Sequence, residues 1–146
     1  MGRSVAAVAI GVLAGALLVF FTEMLGHAIY PPPADIDLKD PEALAAALPR
    51  LPFEAKAFVV LGWFVGAVGG AYAALRGARR WAPAAWVVAG VMFCMTVLTL
   101  ISLPHPWWRT LAAPVASGAG GWLAVRLGNG TYASPIADDK SAGLFE

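Results

Sequence analysis

Four long apolar stretches, separated by short segments rich in proline, glycine or charge, dominate the chain. The first runs from about Val5 to Tyr30 with Glu23 as its one carboxylate, and stops at Pro31-Pro32-Pro33, which cannot continue a helix. The second runs from Pro52 to Arg76. Pro52 suits a first helical turn, where no backbone N–H is needed, and Glu54 favours the positive end of the helix dipole. The third, Pro83 to Leu103, carries no charge. The fourth is weaker, because its apolar part from Thr110 to Val125 is short and contains Pro114; Trp107 and Trp108 extend it as interfacial anchors, giving a span of 107–126. In a bilayer the backbone has no water to bond with, so ~18 or more apolar residues read as a helix that satisfies its own amides. The pattern predicts an all-α fold, a four-helix transmembrane bundle over residues 1–128.

The connections are unequal. Between Pro31 and Leu51, Asp40 is a candidate N-cap, Pro41 suits the first helical position, and Leu44 and Leu48 stand at i,i+4. These predict a short interfacial helix in the first outward loop. Residues 129–146 combine turn residues with mixed charge and no periodicity, which reads as a mobile cytoplasmic tail. Arg3 before an apolar run and Gly26-His27-Ala28 mimic a signal peptide, but Val5 to Phe21 exceeds a leader core of ~7–15 residues and is expected to be a retained span.

Composition agrees with lipid as the solvent: 60% hydrophobic, 13% charged, with a mean hydropathy of +0.71. A net charge of +1 without a basic stretch excludes nucleic acid as a partner. The single cysteine, Cys94, excludes an internal disulfide and a thiolate zinc cage, and its apolar setting predicts a small core residue. Met92 and Met95 beside it read as adaptable core filling rather than copper ligands. Arg3, Arg76, Arg79, Arg80, Arg126 and Lys140 fall on one side of the predicted topology, against Lys39, Arg50, Lys56 and Arg109 on the other. The richer side is expected in the cytoplasm, with both termini.

Small residues recur at every fourth position: Ala7, Gly11 and Gly15, then Gly62, Gly66 and Gly70, then Ala113, Ser117 and Gly121. Such spacing lets helix backbones approach closely, within one bundle or at an interface with a second copy or another protein. Polar residues inside spans are costly, which singles out Glu23 and, at i+4 on the same face, His27. His105, in Pro104-His105-Pro106, is expected on the same outward side, and Thr96, Thr99 and Ser102 add hydroxyls at that depth. Glu23, His27 and His105 are the candidate polar cluster. One carboxylate and two imidazoles suit a divalent metal such as zinc or proton handling, a structural polar pair needs no cofactor at all, and a third reading is a site that recognises a lipid headgroup or a partner.

No phosphate-binding glycine loop, nucleophile elbow or paired catalytic carboxylates occur. The two halves correspond too little for the inverted repeats of a transporter. Glu23-x-x-Gly26-His27-x-x-Tyr30-Pro31, Gly62-Trp63-x-x-Gly66 and Pro104-His105-Pro106-x-Trp108 together resemble small four-span bacterial membrane proteins whose activity is not established. The likeness covers Val5 to Val125 and implies a bacterial cytoplasmic (inner) membrane setting, with nothing about chemistry. The expected function is a non-enzymatic accessory or scaffold protein that packs through small-residue helix faces against itself or a larger complex. The alternatives are an outward-facing metal-binding or catalytic protein using Glu23, His27 and His105, and a small oligomeric channel or carrier lined by the polar face of the third span.

Overall fold

A computed structural model describes residues 2–31, 40, 42–43, 46, 50–102 and 107–133. It is all-α: α1 (Gly2–Ile29), α2 (Phe53–Gly77), α3 (Ala82–Ser102) and α4 (Trp107–Leu127), with no strand among the described residues. Each helix coincides with one apolar stretch to within three residues. By length and composition α1, α2 and α3 can cross a membrane. Of the expected first-loop helix, the described part is one capping contact, the Glu42 N–H donating to Asp40 Oδ1 at 2.9 Å; Pro41, Leu44 and Leu48 lie outside the described residues, as do Leu103 and the tail beyond 133.

Helix ends follow from local chemistry. Pro52, the expected first residue of the span, is instead the N-cap of α2 in extended conformation, so the helix begins one residue later at Phe53, and Glu54 occupies the first turn. The Arg80 N–H reaches the Leu75 carbonyl at 2.7 Å, and Arg79 is left-handed with φ 53°. At the end of α4, Asn129 N–H bonds to Arg126 O and Gly130 N–H to Val125 O, with Asn129 left-handed at φ 49°. The α4 end is a full Schellman stop and the α2 end has its 6→1 bond and left-handed residue, and both satisfy last-turn helical carbonyls. The two stops are then tied together: Thr131 N–H donates to Arg80 O and Ala82 N–H to Thr131 O, each at 2.7 Å. The Arg3 Nε–H donates to Gly77 O at 3.2 Å, which brings the start of α1 to the same end. Arg3, Arg76, Arg79, Arg80 and Arg126 therefore share one end of the bundle.

Both α2 and α3 touch all three other helices, but α2 makes the most extensive contacts and is the central element, whereas α1 and α4 do not meet among the described residues. Ala67, Ala74, Val88 and Met92 form one buried cluster, against which Val8 and Val12 pack. Ala71, Leu75, Ala85 and Ala124 form a second, which draws in α4. Alanine and glycine dominate these contacts because lipid provides no hydrophobic drive between helices, so attraction comes from close backbone packing. Gly11, Gly15, Gly66 and Gly70 are buried where α1 meets α2, and Gly62 is buried beside Thr22 and Glu23. The Gly62, Gly66 and Gly70 face is thus covered by α1 of the same chain and is not left for a second copy.

Two sequence expectations are corrected. Cys94 is exposed, because it lies on the side of α3 away from the buried residues Val88, Ala89, Met92 and Thr96. Of the two methionines, Met92 fills the core while Met95 is half exposed; three residues turn a helix by ~300°, which is enough to carry Met95 off the narrow packed side.

Candidate functional site

At the end of the bundle away from the arginines, Glu23 and His27 stand one turn apart on α1. His27 is exposed, and its Nδ1–H donates to the Glu23 carbonyl at 2.9 Å. A carbonyl accepts and does not donate, so in the neutral ring the lone pair sits on Nε2. Glu23 is partly buried, and a Cβ added at Gly62 would lie 3.7 Å from its Cγ, which sets the side chain at the α1–α2 seam. His105, the third expected member, lies outside the described residues. A zinc centre takes three or four protein ligands. Among the described residues no group of three or more His, Cys, Asp and Glu side chains is arranged to hold a metal.

Aromatic rings line the same end. Tyr30 and Phe58 have centroids 5.9 Å apart, and Phe53 lies 5.1 Å from Trp108. The start of α4, where Trp107 opens the helix, is therefore held against the start of α2.

The hydroxyls of α3 do not form one polar face. Thr96 is fully buried and stands 3.2 Å from Ser117 on α4; each hydroxyl is also within reach of a carbonyl of its own helix, Met92 O and Ala113 O, so with one proton apiece one of them donates across to the other while its partner donates within its helix. Thr99 and Ser102 are exposed and donate to Met95 O and Leu98 O. Successive steps of three residues rotate these groups by ~60° around the helix, from the core to the outside. A polar lining of the third span is thereby divided between two surfaces.

The arginine-bearing end carries a second constellation, which the sequence reading passed over. A recess of about 350 Å³ opens between α3, α4 and the segment after α4, bordered by Trp86, Trp122, Arg126, Asn129 and Tyr132. Trp86 Nε1–H donates to the Tyr132 hydroxyl at 3.1 Å. The Arg126 guanidinium lies 5.4 Å from the centre of the Trp122 ring, within cation–π range. The signal was present: Trp86 and Trp122 each fall about one turn from a helix end, where membrane helices concentrate aromatic residues, at both interfaces and not at the Trp107–Trp108 end alone.

Comparison with protein-family models, curated proteins and solved structures finds no match.

Proposed function

We propose that this chain is a four-span integral protein of a bacterial cytoplasmic membrane that serves as a non-enzymatic accessory or scaffold component, packing against a second copy or a larger membrane complex. One observation carries the reading. On α1 only a narrow side is buried, Ala7, Gly11, Gly15, Val19 and Gly26, while Val5, Ile10, Leu13, Leu17, Phe20, Phe21, Met24 and Ile29 remain exposed along its whole length. So continuous an apolar surface calls for lipid or another helix.

The fourth span is supported by packing. Ala113, Ser117 and Ala124 of α4 are buried among helices of spanning length, which aligns α4 with them in depth. The cytoplasmic placement of both termini rests on the five arginines gathered at that end, and the bacterial setting on the motif resemblance. The interfacial helix is supported by the Asp40 cap.

Native mass spectrometry of the protein released in mild detergent tests the reading. The expected result is a stoichiometric complex with a second copy or another protein. A lone chain carrying one equivalent of metal, lost in His27→Ala, would replace it with the metal-centre alternative.

A further inference from the structure

The recess between Trp86 and Trp122 has the chemistry of an anion receptor at a membrane surface. Among the described residues its borders contain Arg126 and no carboxylate. Among the described residues no oxygen accepts a hydrogen bond from the Arg126 guanidinium, which lies over the Trp122 ring face. Five N–H donors are consequently available above an aromatic wall, a geometry that suits a phosphate oxygen pair. Because the Tyr132 oxygen accepts the Trp86 indole N–H, its own O–H proton is available to donate outward. The Asn129 amide at the rim supplies further donors. The Schellman stop and the Thr131 to Arg80 pairing hold 129–132 in place, so the donors are positioned before anything binds.

Below the rim the surface changes character. One turn deeper on α3, Gly90 is exposed with open space where a Cβ would stand, and one turn deeper on α4, Gly118 is the same. In antiparallel helices Gly90 (i+4 from Trp86) and Gly118 (i−4 from Trp122) lie at a similar depth, ~6 Å below the tryptophans. Beyond them come Phe93 and Val115, both exposed. A charged, aromatic mouth above bare glycine flanks and an apolar continuation matches a headgroup joined to acyl chains.

We propose that this recess binds an anionic glycerophospholipid, its phosphate held by Arg126, Asn129 and Tyr132 and its acyl chains laid along the Gly90 and Gly118 faces. The proposal rests on reading α4 as a span whose arginine-bearing end reaches the membrane surface; it does not depend on which side that surface faces, nor on a protein partner. A volume of about 350 Å³ lies within the ~300–1,000 Å³ of small-molecule sites, and the two tryptophans sit at the depth where aromatic side chains meet headgroups.

The test is lipid titration of delipidated full-length protein in mixed micelles, read by native mass spectrometry, with dioleoyl phosphatidylglycerol, dioleoyl phosphatidylcholine and soluble glycerol phosphate as probes. The expected result is a one-to-one phosphatidylglycerol adduct at about tenfold lower concentration than phosphatidylcholine, weakened about tenfold by Arg126→Gln and several-fold by Tyr132→Phe. Arg76→Gln, an exposed arginine at the same end held over Tyr72, should change it less than about twofold. Equal binding of the two lipids, or undiminished binding in both Arg126→Gln and Tyr132→Phe, overturns the proposal. So does displacement of the lipid by glycerol phosphate at matching concentration, which would mark a soluble-anion site. If Arg126→Gln does not fold, Tyr132→Phe decides. Protein partners are scored as separate masses in the same spectra, so the accessory reading and the lipid site fail independently.

Discussion

Gly11 and Gly70 face each other backbone to backbone: a Cβ on Gly11 would stand 2.7 Å from the Gly70 carbonyl oxygen, and one on Gly70 would stand 2.6 Å from the Gly11 carbonyl oxygen. Gly15 and Gly66 repeat the relationship one turn along, at 2.9 and 2.8 Å. These antiparallel pairs set how closely α1 can approach α2, and neither carbonyl can give way as a flexible side chain could.

Gly70→Ala should therefore destabilise the fold by about 1–3 kcal/mol, the usual cost of overpacking, and Gly66→Leu by more. Gly118→Ala, at a site with open space, should be neutral or stabilising by up to about 1 kcal/mol, because alanine is the better helix former. Thermal melts in one detergent compare them. Equal melting temperatures for Gly70→Ala and Gly118→Ala would contradict the close approach.

The buried hydroxyl pair makes a second, smaller claim. Thr96 and Ser117 each retain a bond to their own helix when the other is removed, so neither truncation strands a buried polar group. The coupling between Thr96→Val and Ser117→Ala in a double-mutant cycle should be about 0.6 kcal/mol, and below about 1.7. A coupling of zero would mean that the hydroxyls do not meet.

Arg79 and Arg80 adopt positive φ, 53° and 63°. A side chain there costs about 1–2 kcal/mol that glycine avoids, less the ~0.5–1 kcal/mol glycine loses in chain entropy. Arg79→Gly should raise stability by up to about 1 kcal/mol in unfolding measurements. A fall in stability would show that the Arg79 side chain contributes more than its backbone conformation costs.

Topology can be read chemically. Cys94 is exposed on α3, outside the packed core, so Cys94→Ser should change stability by no more than about 0.5 kcal/mol. In that background, Ala133→Cys should react with a membrane-impermeant maleimide after the cells are opened and not before, whereas Glu42→Cys should react on intact cells. The reverse pattern would invert the proposed orientation.

The candidate sites were unequally legible. Glu23 and His27 could be found in sequence because charge within an apolar run is conspicuous, and their i,i+4 spacing fixes a shared helix face whatever surrounds it. Trp86 and Trp122 could be marked as interfacial by their places near helix ends, but their meeting with Tyr132 could not, because the members lie 46 residues apart at the extremes and meet through the pairing of two helix stops. Nothing local announced that pairing, since Arg79 and Asn129 occupy the left-handed positions that glycine usually marks.

The sequence by itself determined that this chain is helical, where its four helices begin and end, and that at least three are apolar enough to cross a membrane. These properties depend on runs of neighbours: hydropathy over some twenty residues, prolines at the starts, and a helix that satisfies its own backbone. Tertiary structure alone decided that α2 is central, that α1 and α4 do not touch, that α1 covers the Gly62, Gly66 and Gly70 face, and that Cys94 and Thr99 turn outward while Thr96 turns in. The physical reason is that α1 to α3 are apolar on every side. Lipid-facing and helix-facing residues then share one composition, and what separates them is how closely two backbones can approach, as at Gly11 and Gly70.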